Sequence, residues 1–211
     1  MAAPDTVIFY HAPNSRSAAT RALLEELDAP FELRAIDITK DRQREPAYLA
    51  VNPMGKVPAI LHRGELVTET VAIFIHLADA FPAAGLSPRM EEPLRGPYLR
   101  WMVYYAACFE PAVVDRAQKR EPAPLAMSPY GDFDTMLRTL TDRLERGPYI
   151  LGDRFSAADV LWATGLHWTT MFGIVPKLPV IERYIAHVTS RPAFARATAA
   201  DAALAAELAA T

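Results

Sequence analysis

The sequence predicts a two-part chain, a small α/β half followed by an all-helical half, and three observations predict it. Strand-like runs are confined to the first third of the 211 residues. The stretch Pro82–Pro88 (PAAGLSP) has the composition of a linker. Beyond it the apolar residues recur almost only at helical spacing.

Thr6–His11 (TVIFYH) is a short apolar run rich in β-formers and predicts a buried strand. Ala12-Pro13-Asn14 ends it, and Asn14 or Ser15 is placed to cap the next segment. From Ser15 to Leu27, Ala18, Ala19, Ala22, Leu23 and Leu27 form one helical face. Phe31–Ile36 predicts a second strand, which completes a right-handed βαβ unit with a parallel pair. Arg44–Val51 predicts a short helix. Val57–Leu61 and Glu65–Val67 flank His62-Arg63-Gly64, a hairpin turn. Glu69–Phe81 predicts a helix with Val71, Ala72, Phe74, Ile75, Leu77 and Ala78 on its buried face.

After the linker, Glu91 to about Lys119 reads as a long helix with a kink at Pro111. Glu121–Pro129 carries three prolines and reads as a loop. Asp132–Arg146 is a second helix. Phe155-Ser156-Ala157-Ala158-Asp159-Val160 opens a third: Ser156 and Asp159 have capping-box spacing, and Phe155 and Val160 occupy the staple positions. Pro179–Ser190 and Ala193–Ala210 are further helices. The predicted organisation is 1–81 α/β, 82–88 linker and 89–211 helical.

A hydrophobic fraction of 51% with 22% charged residues is that of a folded globular chain. A net charge of −3 with no basic block argues against a nucleic-acid partner. The single cysteine, Cys108, excludes an internal disulfide and fits a reducing compartment; it reads as a buried small apolar residue. Met1–Asp5 shows no secretory signal and no apolar run reaches membrane-spanning length, so a cytoplasmic location is expected. The five histidines show no metal-ligand spacing, and no metal is expected.

Val57-Pro58 is the most informative pair. Proline lacks the N–H a sheet needs, so inside an apolar strand it belongs to an edge or a special turn. A cis bond here would turn the main chain of Val57 outward to pair with an extended peptide. About ten residues later Thr68-Glu69-Thr70 opens a helix, whose free N–H groups suit a carboxylate. Together these predict a pocket for a small peptide with a free carboxylate.

The chain resembles the glutathione transferase family along essentially its whole length. The motifs are YHAPNSRS before the first helix, ALLEEL at its end, AVNPMGKVPAI into the proline turn, TETVAIFIHLADAFP after the hairpin, FSAADV and RPAFARA. AYLAVNPMGKVPA and LRWM are most similar to the bacterial beta-like branch. The resemblance implies a thioredoxin-like domain followed by a helical bundle, glutathione as co-substrate, and a homodimer.

It also implies roles. Val57 would bond the cysteinyl part of glutathione by its main chain, after a cis bond to Pro58. Glu69 would hold the γ-glutamyl ammonium and Thr70 the γ-glutamyl carboxylate, with Lys56 reaching the glycyl carboxylate. The nucleophile is the bound thiol, which the enzyme must shift toward thiolate. Ser15 is the first candidate donor to the sulfur and Asn14 the second, with Ser17 and Tyr10 behind them. Plain capping is the alternative for Ser15. A small hydrophobic electrophile would meet His11, Trp101, Tyr104 and Tyr105, with Met102, Trp168 or Phe172 near, although core packing explains such aromatics equally. Where the beta-like branch carries a Cys early in the first helix this chain has Arg16, and where it carries a His on the long helix this chain has Glu110. Four readings stand: conjugation as the leading one, glutathione-dependent disulfide or peroxide reduction, isomerisation, and a non-catalytic binding module on the same fold, which the missing Cys and His keep open.

Overall fold

The computed structural model describes residues 5–121 and 123–210. They form two compact units. One runs to Ala84 and includes the segment from Arg191 onward; the other is Gly85–Ser190.

In the first unit, β1 (Val7–His11), α1 (Ser17–Leu27) and β2 (Phe31–Ala35) form the expected βαβ unit, with Val7 paired to Phe31 and Phe9 to Leu33 in parallel. A short α2 (Pro46–Leu49) follows two single-turn 3₁₀ segments, and β3 (Ala59–His62), β4 (Glu65–Val67) and α3 (Thr70–Ala80) complete the unit. The sheet order is β2-β1-β3-β4, with β3 antiparallel to both of its neighbours. In β1 burial alternates: Val7, Phe9 and His11 are fully buried, while Ile8 and Tyr10 are half-buried. The hairpin turn is only Arg63-Gly64, both at positive φ (55° and 84°), the pattern of the primed turns that match strand twist. His62 is therefore in β3, and its Nδ1 lies 2.8 Å from His76 Nε2 on α3.

The last helix, α9 (Pro192–Ala210), belongs to this first unit rather than to the helical half in which the sequence placed it. It packs on α1. The Arg191 guanidinium grips Glu26 through two bonds of 2.8 Å, and Arg196 Nε donates to Glu25 at 2.8 Å. Bidentate pairs of this kind fix direction as well as distance.

The second unit holds α4 (Arg95–Tyr104), α5 (Glu110–Ala117), α6 (Phe133–Leu144), α7 (Ala157–Met171) and α8 (Pro179–Thr189). The expected long helix is divided by a π turn over Tyr105–Phe109. Pro111 has no N–H for the carbonyl four residues earlier and its ring crowds it, and widening the preceding turn relieves both defects. Trp162 is fully buried at the centre, its ring 5.0 Å from Phe109 and 5.1 Å from Tyr105, its Nε1 donating to the Trp101 carbonyl at 3.1 Å. The capping box at the start of α7 forms as expected. Cys108 departs from expectation: it is only partly buried, in the π turn, and its thiol points at the Pro129 carbonyl 3.7 Å away. Burial pushes that thiol's pKa up, away from reactivity. Among the described residues no helix is long and apolar enough to cross a membrane.

Candidate functional site

Tyr10 pairs with Ala59, and Ile60 with Val67. Continuing these antiparallel registers by a step or two brings three features to the same end of the sheet: the turn after β1, the Val57-Pro58 bend and the Glu69 turn. The residues singled out by sequence for the peptide pocket are gathered at that edge.

The Val57–Pro58 peptide is cis. Neither the N–H nor the C=O of Val57 is bonded to another described residue. The loop before it is tightly held. Tyr48 Oη donates to the Lys56 carbonyl at 2.6 Å, and Asn52 Nδ2 donates to the same oxygen at 2.9 Å. Asn52 Oδ1 accepts the Met54 N–H at 3.1 Å. Gly55 sits at φ +59°, and a Cβ there would come within 2.8 Å of the Gln43 carbonyl. Burial pushes the Tyr48 hydroxyl up to about 12, so it stays a donor throughout the physiological range. The sequence reading missed Tyr48 and Asn52. The Asn52-Pro53 and Gly55 turn signals were visible, but their shared target, the Lys56 carbonyl, is defined only by the fold. The Lys56 side chain itself is exposed.

Glu69 has φ 65° and ψ 114°, a region a non-glycine residue rarely occupies. Its carbonyl accepts the Ile73 N–H at 3.0 Å, starting α3. The carboxylate is exposed, and neither it nor the Thr70 hydroxyl is bonded to another described residue. The first N–H groups of α3 are thus available to an anion beside a free carboxylate.

The turn after β1 is more committed. Asn14 is exposed and left-handed (φ 56°), a conformation asparagine tolerates. Ser15 Oγ donates to the Ala12 carbonyl at 2.8 Å, accepts the Ser17 N–H at 3.2 Å and lies 2.7 Å from Ser17 Oγ. Ser15 thus braces the turn, but the N-cap position is Arg16, without a side-chain cap bond, and α1 starts at Ser17 rather than at Ser15. Ser15 as a whole remains half-exposed. Arg16 is exposed at the helix-entry position.

Of the residues expected to wall a second-substrate pocket, His11, Trp101, Met102 and Tyr105 are buried. His11 is fully buried, with both ring nitrogens engaged by Ser17 and Asp201. Trp101 and Tyr105 are buried around Trp162, and Tyr104, half-buried, donates its hydroxyl to the Met136 carbonyl at 3.0 Å. Trp168 and Phe172 stack with centroids 5.5 Å apart, and Phe172 is largely exposed. A cleft of about 740 Å³ opens beside Tyr10, Leu33, Lys40, Tyr48, Val51 and Leu208. None of Ser15, Val57, Glu69 or Thr70 lines it, and its Lys40 and Arg42 are paired with Asp37 and Glu45. Among the described residues no cluster of three or more His, Cys, Asp or Glu could hold a metal.

Two family descriptions match the chain: glutathione S-transferase, N-terminal domain, over residues 5–79, and glutathione S-transferase, C-terminal domain, over residues 111–187. The disulfide-bond oxidoreductase YfcG of Escherichia coli (strain K12) is 26% identical, covering 89% of this chain and 92% of its own length. The crystal structure of a glutathione transferase from Methylococcus capsulatus str. Bath is 30% identical at a TM-score of 0.79, covering 93% of this chain and 98% of that one. A sphingomonad glutathione S-transferase solved in complex with glutathione is 28% identical at a TM-score of 0.75, covering 92% and 98%.

Proposed function

Because the chain belongs to the glutathione S-transferase family, we propose that it binds glutathione at the Val57–Glu69 edge and activates the thiol for attack on a small hydrophobic electrophile. The observation that carries this reading is the pairing of an unbonded Val57 main chain with the unbonded Glu69 carboxylate and Thr70 hydroxyl at one end of the sheet. A tripeptide laid along that edge gains two strand-type hydrogen bonds at Val57. Its γ-glutamyl ammonium meets Glu69, and its γ-glutamyl carboxylate meets Thr70 and the start of α3. Lys56, exposed one residue away, is within reach of the glycyl end. The sulfur then faces the turn after β1, where Ser15 or Asn14 stabilises the thiolate. Proximity to a bound acceptor supplies the rest of the rate.

A second reading is glutathione-dependent disulfide reduction. It is favoured by the exposed, left-handed Asn14 and by the likeness to an oxidoreductase. Titration calorimetry with glutathione, followed by an aryl-halide conjugation assay and a disulfide-reduction assay, separates the two. Binding with conjugation supports the first reading; binding with reduction alone supports the second; the absence of binding removes both. The same family reading carries a homodimer, for which light scattering would give twice the chain mass of 23.3 kDa.

A further inference from the structure

Behind Ser15 runs a file of hydrogen bonds that ends on a carboxylate. Ser15 Oγ is 2.7 Å from Ser17 Oγ, Ser17 Oγ is 2.8 Å from His11 Nδ1, and His11 Nε2 is 2.9 Å from Asp201 Oδ1. Ser17 and His11 are fully buried, while Ser15 at one end is half-exposed and the Asp201 side chain at the other is 16% exposed. All four residues lie in the first unit, with Asp201 supplied by α9.

The direction of each bond follows from what its ends can do. A carboxylate only accepts, so Nε2 carries the ring proton and Nδ1 of a neutral His11 is an acceptor. Ser17, which accepts the Ala12 N–H at 3.1 Å and has the Ala12 carbonyl 3.0 Å away as a second acceptor, is then the donor in its bond to Nδ1. Ser15 donates inward, to Ser17 or to the Ala12 carbonyl. In this state Ser15 offers only lone pairs to a ligand, and lone pairs do not stabilise an anion. With His11 as imidazolium the bonds between His11 and Ser17 and between Ser17 and Ser15 reverse, while Nε2 still donates to Asp201. Nδ1 donates to Ser17, Ser17 donates to Ser15, and the Ser15 hydroxyl is released to donate outward.

We propose that His11 and Asp201 are positioning residues that take up the proton of the bound glutathione thiol through Ser17 and Ser15. The inference rests on Ser15 being the group that faces the sulfur. As the S–H bond breaks, its proton goes to Ser15 Oγ. The Ser15 proton passes to Ser17, and the Ser17 proton passes to His11 Nδ1. No electrons change hands, and the net charge of the site is unchanged. The products are a thiolate and an imidazolium, with both hydroxyls now aimed along the file toward the sulfur. The proton leaves by the same path once the thiolate has been consumed. The charged groups facing His11 are Asp201 from α9 and Arg21 from α1, which donates to the same carboxylate oxygen at 3.0 Å. The third neighbour is the uncharged Phe9 ring, 5.0 Å away on its own strand.

The test is an ultraviolet titration of the thiolate of glutathione bound to the wild type and to Ser15→Ala, Asp201→Asn and His11→Gln, with glutathione affinity measured by calorimetry. Asp201→Asn keeps the shape and an acceptor oxygen but removes the charge. It is expected to raise the pKa of the bound thiol by about one unit, leaving affinity at low pH, where the thiol is protonated, unchanged. His11→Gln should shift it the same way. A Ser15→Ala shift with a wild-type profile for Asp201→Asn overturns the relay and spares Ser15. An unshifted Ser15→Ala overturns both, and a wild type that binds no glutathione overturns the proposed function itself. Should either buried variant fail to fold, ¹⁵N shifts of the His11 ring in the wild type decide. Conversion to imidazolium on adding glutathione is expected, and a ring that stays neutral overturns the proposal.

Discussion

The Tyr184 hydroxyl on α8 donates to Asp159 Oδ1 on α7 at 2.9 Å, with both side chains buried. The Ile150 N–H gives the same carboxylate a bond of 2.6 Å, and the Ser156 N–H and hydroxyl reach Oδ2 at 2.9 and 3.0 Å. Four donors favour the charged form, yet burial outweighs them and raises the carboxyl pKa from 3.8 to about 6. The folded chain therefore binds a proton more tightly than the unfolded chain. This group's contribution is present in full below about pH 4 and is lost as pH rises through about 6. Two pH units correspond to about 3 kcal/mol. Urea melts from pH 4 to 7 should show this decline in wild type and not in Asp159→Asn; parallel curves would refute it.

The loop that presents Val57 hangs on the Lys56 carbonyl. Removing the Tyr48 hydroxyl takes away one of its two side-chain donors. Tyr48→Phe should weaken glutathione binding about fivefold, the value of roughly 1 kcal/mol for one hydrogen bond. Calorimetry reads this directly, and an unchanged Kd would mean that the loop does not need that anchor.

Glu69 has no bonded partner among the described residues, so its carboxylate adds little to folding. Glu69→Gln should leave the Tm within about a degree, since exposed sites contribute roughly half a kcal/mol or less. Glutathione affinity should fall at least tenfold, in line with about 1.5–3 kcal/mol for a charged hydrogen bond. A Tm loss without an affinity loss would make Glu69 a structural residue.

Ser15→Ala should lower conjugation turnover at least tenfold, about 1.4 kcal/mol of transition-state stabilisation. Steady-state kinetics with saturating glutathione measure it. A rate equal to wild type transfers the role to Asn14.

Gly165 lies on α7 where the Tyr105 ring crosses. A Cβ there would fall 2.5 Å from the Tyr105 hydroxyl oxygen and 2.7 Å from Cε2. Gly165→Ala should destabilise the protein by about 1–3 kcal/mol despite alanine's better helix propensity. A denaturant midpoint at or above wild type would show that the ring yields freely.

Local chemistry carried most of what was legible in the sequence. The β1–α1–β2 unit follows from period and length, the Pro58 bend from a missing N–H, and the Ser156–Asp159 cap from spacing, because each depends on residues close together in the chain. Tyr48 and Asn52 converging on Lys56, and Asp201 reaching His11 across 190 positions, leave no local trace. Composition also could not separate aromatics that pack from aromatics that touch a ligand. Trp101 and Tyr105 look like pocket walls in the sequence and are core in the fold. Pro111 announced a break in the long helix, but not that the turn before it widens into a π turn.

α1 is translated long before α9. Until residues 191–201 emerge, Glu25, Glu26 and the His11 imidazole wait without their counterparts, and the helix face meant for α9 stays wet. Those contacts join parts of the chain more than 160 positions apart, the separation that slows assembly most. The nascent N-terminal third is therefore an unfinished body, and the emergence of α9, rather than of α1, completes the surroundings of His11.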